Sequence, residues 1–149
     1  MKNLFRIGVI GGANPEEKWS QMAFEVGSLI AKNNAVLVCG GLGGVMEAAA
    51  KGAKEAGGHT LGILPGSSHQ DSNPYIDISI ATGLGYTRNS LVAMNADSLI
   101  AVDGQYGTLS EIAYGIIYGK KVIGIGTWTI LGVQMVSSAE DAVKFALLP

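Results

Sequence analysis

Residues 35–47 read AVLVCGGLGGVME, an apolar run that ends in glycines and continues as a helical pattern. A run of this length, closed by Gly40-Gly41, is typical of a strand inside a parallel sheet. The helix that follows is expected from about Gly43 to Ala56, with Glu47 and Lys51 as a favourable pair on its polar face. The stretch therefore predicts a strand, a glycine turn and a helix in immediate succession.

The same succession of strand, turn and helix recurs before and after this stretch of the chain. Strands are expected at 5–10, 35–39, 60–64, 76–80, 98–102 and 122–125, with helices between most of them. This alternation implies right-handed crossovers between parallel strands. We therefore predict an α/β fold with a single doubly wound, Rossmann-like sheet and helices on both faces, forming one domain over residues 1–149.

Several helix boundaries are predicted from capping patterns. Asn14 with Glu17, Thr108 with Glu111, and Ser137 with Glu140 each fit a capping box at a helix start. A further helix is expected over 84–95. Residues 127–136 are compatible with a loop or with a seventh strand.

The composition limits the kind of protein. The 149 residues carry a formal net charge of −2, and 15% of them are charged. This lacks the basic surplus of proteins that bind nucleic acid or an anionic membrane, so neither partner is expected. The single cysteine, Cys39, excludes an internal disulfide and indicates a reducing compartment, which predicts a cytoplasmic protein. His59 and His69 are not spaced as metal ligands, and no metal site is expected.

Three predicted strands end in glycine-rich loops. These loops begin at Gly11-Gly12, at Gly40-Gly41 and at Asp103-Gly104. Ligands of parallel sheets bind beyond the carboxyl ends of the strands, where glycine allows close approach and a helix start attracts anions. A dinucleotide G-x-G-x-x-G pattern and a P-loop lysine are both missing, which argues against a conventional dehydrogenase or ATPase. The three loops together predict a site for a phosphorylated small molecule.

The segment from Gly107 to Glu111 allows two interpretations. Thr108 and Glu111 fit a capping box, which needs no ligand. Alternatively, Thr108 and the N–H of Gly107 bind a phosphate while Glu111 faces a sugar. Local chemistry favours the capping box. The glycines that precede it also fit the phosphate site, so both interpretations stay open.

The glycine motifs, in their order and spacing, resemble the LONELY GUY or "lysine decarboxylase-like" superfamily. The similar segments are 40–46, 52–53, 57–58 and 107–111, so the resemblance covers nearly the whole chain. It implies a nucleotide phosphoribohydrolase that releases a cytokinin-type base, with Arg88 and Glu111 at the catalytic positions. It also implies a dimer or a larger assembly.

Two departures point to a particular branch of that superfamily. The PGG motif reads Asp103-Gly104-Gln105 here, and Asn89 stands where a lysine usually follows the arginine. The segments 73–77 and 82–89 are more similar to the branch that contains the molybdenum cofactor carrier protein. That resemblance implies binding of a pterin phosphate without turnover.

Two functions are therefore expected as alternatives. The first is a carrier or sensor of a nucleoside monophosphate or molybdopterin-type ligand, with no required cofactor and the molybdenum cofactor as a candidate cargo. The second is a phosphoribohydrolase that uses Arg88 and Glu111. The residues expected to bind the ligand or its phosphate are Gly11, Gly12, Gly40, Gly41, Gly43, Gly44, Met46, Arg88, Asn89, Gly104, Tyr106, Gly107 and Thr108.

The helix predicted at 108–118 suggests a homo-oligomer. One face of this helix is expected to pack against the sheet through Leu109, Ile112, Ala113 and Ile116. Three further apolar or aromatic residues lie largely outside that face: Tyr114, Ile117 and Tyr118. Apolar residues on an outer face favour pairing with a second copy across a two-fold axis. The alternative is that the segment 128–148 covers this face.

Overall fold

The computed structural model describes residues 3–149 and contains seven strands in one parallel sheet. The strands lie in the order β4-β3-β2-β1-β5-β6-β7, so the chain winds outward from β1 in both directions. This confirms the predicted doubly wound α/β sheet. Residues 1 and 2 of the expected domain lie outside the described residues. The strands are β1 Arg6–Gly11, β2 Val36–Cys39, β3 His59–Leu64, β4 Ile78–Ala81, β5 Ser98–Val102, β6 Lys121–Ile125 and β7 Val133–Met135.

Five helices cover the two faces of the sheet. They are α1 Glu17–Lys32, α2 Val45–Glu55, α3 Asn89–Met94, α4 Tyr106–Ile117 and α5 Ala139–Leu147. Helices α1, α2 and α5 bury one cluster of side chains, including Ile100 and Ile123, against the first face. Helices α3 and α4 bury Val92 and Ile112 with Leu99 against the second face. None of the helices described for residues 3–149 is long and apolar enough to cross a membrane.

Helix α1 begins later than the capping pattern predicted. The residue before it is Glu16, whose side chain makes no capping hydrogen bond, so Asn14 is not the cap. The N–H of Val45 donates to the carbonyl of Gly12 at 3.0 Å. This hydrogen bond connects the loop after β1 to the start of α2. Helix α1 begins only after this connected loop, at Glu17.

Helix α4 begins earlier than predicted, at Tyr106 rather than after Thr108. Gly104 has a φ of +100°, which turns the chain toward the helix two residues sooner. Thr108 and Glu111 are then both buried within the helix, so the predicted capping box is wrong. In α5 the cap is Ser138, which accepts from the N–H of Asp141 at 3.1 Å, one residue beyond the predicted pair.

The buried face of α4 also differs from the prediction. Its buried residues are Thr108, Glu111, Ile112 and Gly115, whereas Ala113 and Ile116 are exposed. A Cβ on Gly115 would lie 2.4 Å from Leu99, so the helix approaches β5 most closely at this glycine. Of the predicted apolar stripe, Ile112 therefore stays against the sheet, whereas Ala113 and Ile116 are turned away from it.

Two further segments are irregular. The helix predicted over 84–95 is a 3₁₀ turn at Gly85–Arg88 followed by the short α3. Gly83 and Gly85 both have positive φ, which prevents a regular helix before Arg88. Of the ambiguous residues 127–136, Val133–Met135 form the seventh strand.

Candidate functional site

The three predicted glycine loops lie together at the carboxyl edge of the sheet. Strand β1 pairs with β2 on one side and with β5 on the other, so the loops that follow these strands are neighbours. The chain changes direction between β1 and β5, which is where ligands of doubly wound sheets commonly bind.

The crevice between the loops after β1 and β5 is filled by the chain itself. A Cβ on Gly12 would lie 2.9 Å from the Oδ2 atom of Asp103, and one on Gly44 would lie 2.3 Å from the carbonyl oxygen of Gly12. A Cβ on Gly11 would meet Val45. Packing alone therefore explains these glycines, and the Asp103 carboxylate disfavours an anion here. Ligand binding by Gly11, Gly12 and Gly44 stays a prediction.

Arg88 lies beside the loop after β2, and 7% of its surface is exposed. Its Nη2 donates to the carbonyl of Gly40 at 3.4 Å, and its Nη1 donates to Oδ1 of Asn89. A Cβ on Gly40 would lie 2.6 Å from that Nη2 and 2.7 Å from the sulfur of Met46. The predicted residues Gly40, Met46, Arg88 and Asn89 are thus brought together.

The Nε atom of Arg88 is buried and has no hydrogen-bond partner among residues 3–149. A buried charged donor without an acceptor is costly, and such groups are typical of binding sites. Burial lowers the pKa of Arg88, and the nearby Glu111 and Cys39 oppose this effect. The guanidinium therefore offers a free donor that suits an anionic oxygen.

Asn89 connects Arg88 to the start of α4. Its Nδ2 donates to Oγ of Ser110 at 3.1 Å and to the carbonyl of Gly107 at 3.5 Å. Asn89 is buried, so this link holds the guanidinium at a fixed distance from the helix start. Ser110 was not predicted as a site residue, because its partner Asn89 is 21 positions away in the sequence.

Glu111 lies behind this link, where burial raises the pKa of its carboxyl to about 8 while Arg88 acts to lower it. Among residues 3–149 the carboxylate forms no ion pair within 4.0 Å. The raised pKa favours the protonated form of Glu111 near neutral pH, and this form can donate a hydrogen bond. Arg88 and Glu111 influence each other's pKa, so the two side chains share one electrostatic environment, and a joint catalytic role stays a prediction.

Cys39 is buried next to this pair as a small apolar residue. Burial raises the pKa of its thiol to about 12, although the N–H of Gly41 donates to the sulfur. A thiol with so high a pKa is a poor nucleophile. Asn73 supports the same region by donating from Nδ2 to the carbonyl of Leu42 at 2.9 Å.

Two of the predicted glycines face open space. No atom lies within 4 Å of where a Cβ on Gly43 would stand, and for Gly107 the nearest is Nδ2 of Asn89 at 3.9 Å. Neither has a positive φ. The fold therefore gives no reason for glycine at these positions, and an external molecule that approaches the backbone would supply one.

Of the remaining predicted residues, three lie at the start of α4 and one, Gly41, lies in the loop after β2. Gly104 turns the chain and packs against Thr108, whose hydroxyl would be 2.2 Å from a Cβ on that glycine. Gly41 has a φ of +78° and contacts Leu64. Tyr106 is exposed beside Trp128.

Similarity to known proteins extends over almost the whole chain. The model of the SLOG cluster4 family matches residues 4–146. The molybdenum cofactor binding protein from the phototrophic bacterium Rippkaea orientalis is 35% identical with a TM-score of 0.91, over 97% of this chain and 96% of that chain. The molybdenum cofactor carrier protein of Chlamydomonas reinhardtii is 33% identical with a TM-score of 0.86, over 96% of each chain.

A more distant similarity concerns an enzyme. A probable cytokinin riboside 5'-monophosphate phosphoribohydrolase from Oryza sativa subsp. japonica is 26% identical over 120 residues. The matched region spans 77% of this chain and 53% of the enzyme, or about half of its length. Together these similarities confirm the resemblance predicted from the glycine motifs.

Proposed function

The chain belongs to the SLOG cluster4 family, and from this membership we propose that it binds a phosphorylated, nucleotide-like small molecule as a carrier or sensor. Two similar structures are named for binding or carrying the molybdenum cofactor. A molybdopterin-type cofactor is therefore our first candidate for the ligand, held as cargo, and a nucleoside monophosphate is the second.

The observation that carries this proposal is the buried Nε of Arg88. This donor lacks a partner among residues 3–149 and lies close to the glycine loop after β2, with Asn89 tying it to the start of α4. A phosphate oxygen would accept from the guanidinium, and the free N–H groups at the start of α4 would stabilise the same negative charge. Open space at Gly43 and Gly107 suits the approach of such a ligand to the backbone.

The two open glycines provide the test of this proposal. We expect Gly43→Ala and Gly107→Ala to lower the affinity for AMP at least tenfold in calorimetric titrations, because the added methyl would occupy space that the ligand needs. Melting temperatures should not fall, since no protein atom is displaced. Lys51→Ala, on the exposed side of α2, is the control and should bind as the wild-type protein does. Wild-type affinity in both glycine variants would contradict the proposed site.

A second candidate function, phosphoribohydrolase activity, is supported by the electrostatic coupling of Arg88 and Glu111. We nevertheless expect no adenine release from AMP at pH 7. A protonated Glu111 supplies no negative charge to stabilise an oxocarbenium-like transition state. Chromatography of the reaction mixture checks this expectation. Release that Glu111→Gln abolishes would establish hydrolysis and overturn the carrier proposal.

We also propose that the protein pairs with a second copy through the layer formed by α3 and α4. Helix α3 has no charged residue, and Glu111, the one charge of α4, is buried. Met94, Ile116 and Ile117 are exposed on this layer. Gly132 lies against Ile116, but Ile117 remains 72% exposed, so the segment after β6 covers the layer only in part. An apolar outer layer without charges suits a permanent interface.

Light scattering coupled to size-exclusion chromatography tests this pairing. We expect a dimer or larger species for the wild-type protein and a 15.4 kDa monomer for Ile117→Glu, because a buried unpaired carboxylate opposes association. Leu148→Glu introduces the same charge at an exposed apolar residue outside the layer and should leave the assembly intact. A wild-type monomer at micromolar concentration would refute the proposal.

A further inference from the structure

Two aromatic side chains meet at the start of α4. The ring centroids of Tyr106 and Trp128 are 5.8 Å apart, and the ring planes are inclined by 37°. Tyr106 is the first residue of the helix, and 78% of its surface is exposed. Trp128 lies in the segment between β6 and β7. The pair thus presents a large, exposed aromatic surface directly before Gly107.

Contacts made by Trp128 hold the aromatic pair in place. The Nε1–H of Trp128 donates to the carbonyl of Gln105 at 3.0 Å, which fixes the indole relative to the helix start. The indole also packs against the apolar cluster that includes Ile112. Because Trp128 is anchored at its polar atom and along its apolar side, Tyr106 rests on a rigid neighbour and keeps its exposed surface.

The aromatic pair lies next to the residues that are proposed to bind the phosphate. Gly107 follows Tyr106 directly and is one of the two glycines that face open space. The other proposed phosphate-binding group, Arg88, is tied to the same helix turn through Asn89. A molecule whose phosphate lies at this turn would have its remaining part close to the tyrosine ring.

We propose that Tyr106, supported by Trp128, is the stacking surface for a planar nitrogen heterocycle carried by the phosphorylated ligand. This inference rests on the proposed function and narrows it. It assigns the heterocycle of either candidate ligand to one surface, and a sugar phosphate without a heterocycle becomes a poor ligand. Stacking on one aromatic side chain commonly changes affinity by about tenfold to a hundredfold.

The test compares ligands with and without a ring in calorimetric titrations. The probes are AMP, a phosphorylated hydroxymethylpterin and ribose 5-phosphate, each against the wild-type protein, Tyr106→Phe and Tyr106→Leu. We expect the wild-type protein and Tyr106→Phe to prefer a ring-bearing probe over ribose 5-phosphate by at least tenfold. Tyr106→Leu should lose this preference while its affinity for ribose 5-phosphate stays the same. Whichever ring-bearing probe binds more tightly identifies the ring type.

The outcomes separate this inference from the proposed function. Equal affinity of the wild-type protein for all three probes, or a Tyr106→Leu variant that keeps its preference, overturns the stacking surface alone. A Tyr106→Leu variant that loses affinity for all probes equally also overturns it, since the tyrosine would then support the phosphate site. Binding of none of the probes by the wild-type protein overturns the proposed function and this inference with it. In a Trp19→Phe variant, whose remaining tryptophan is Trp128, fluorescence quenching by the ring-bearing probes but not by ribose 5-phosphate gives independent support.

Discussion

Glu111→Gln is expected to lose a pH dependence of stability that the wild-type protein shows between about pH 5 and pH 8. In the unfolded chain this carboxyl ionises near its ordinary pKa of 4.5, whereas burial raises the pKa in the folded protein to about 8. Between these values the folded protein retains a proton that the unfolded chain has lost. The free energy of unfolding therefore falls as the pH rises, and this contribution is fully lost above about pH 8.

The size of the effect makes it measurable. A pKa difference of this kind corresponds to a loss on the order of 4 to 5 kcal/mol across the interval. Urea unfolding of both proteins at pH 5 and pH 8.5 measures it, and groups common to both cancel in the comparison. We expect Glu111→Gln to gain stability relative to the wild-type protein as the pH rises. A constant difference between the two proteins would show that Glu111 is ionised in the folded state at neutral pH.

Glu111 also illustrates which features of the fold a local sequence pattern does not predict. Four strands, β1, β2, β3 and β6, were predictable because each is an apolar run followed directly by glycine or proline, and that signal is local. The capping box at Thr108 and Glu111 is equally local, yet it is wrong. The positive φ of Gly104 starts the helix two residues earlier and directs both side chains inward. A backbone angle set by tertiary packing overrides a side-chain pattern that needs only four residues.

The site was predicted in part for the same reason. The resemblance identified Arg88, Asn89 and the glycines as candidates, and the structure brings Arg88, Asn89 and Gly107 together. The supporting contacts were not predicted, since they join distant positions. Asn73 bonds to Leu42 across 31 residues, and Trp128 bonds to Gln105 across 23. No pattern within a short window contains that information.

Arg88→Met is expected to weaken binding of AMP, or of the phosphorylated hydroxymethylpterin, by about a hundredfold. Methionine keeps an unbranched stem of similar length and removes the guanidinium whose Nε is buried without a partner among residues 3–149. Arg88→Lys restores the charge without the planar set of donors, and we expect it to recover only part of the affinity. Arg6→Met, at the exposed start of β1 on the opposite edge of the sheet, should bind as the wild-type protein does.

A stability measurement shows whether Arg88→Met loses affinity for the ligand while the protein stays folded. The guanidinium acts to lower the pKa of Glu111, so its removal should raise that pKa further and move the fall in stability to higher pH. At pH 7 the carboxyl is then still protonated, no unpaired charge is buried, and the variant should stay folded. Weak binding together with this displaced pH profile would mean that one side chain both lowers the pKa of the buried carboxyl and binds the ligand. Unchanged affinity in a folded variant would instead assign Arg88 to the support of the glycine loop at Gly40.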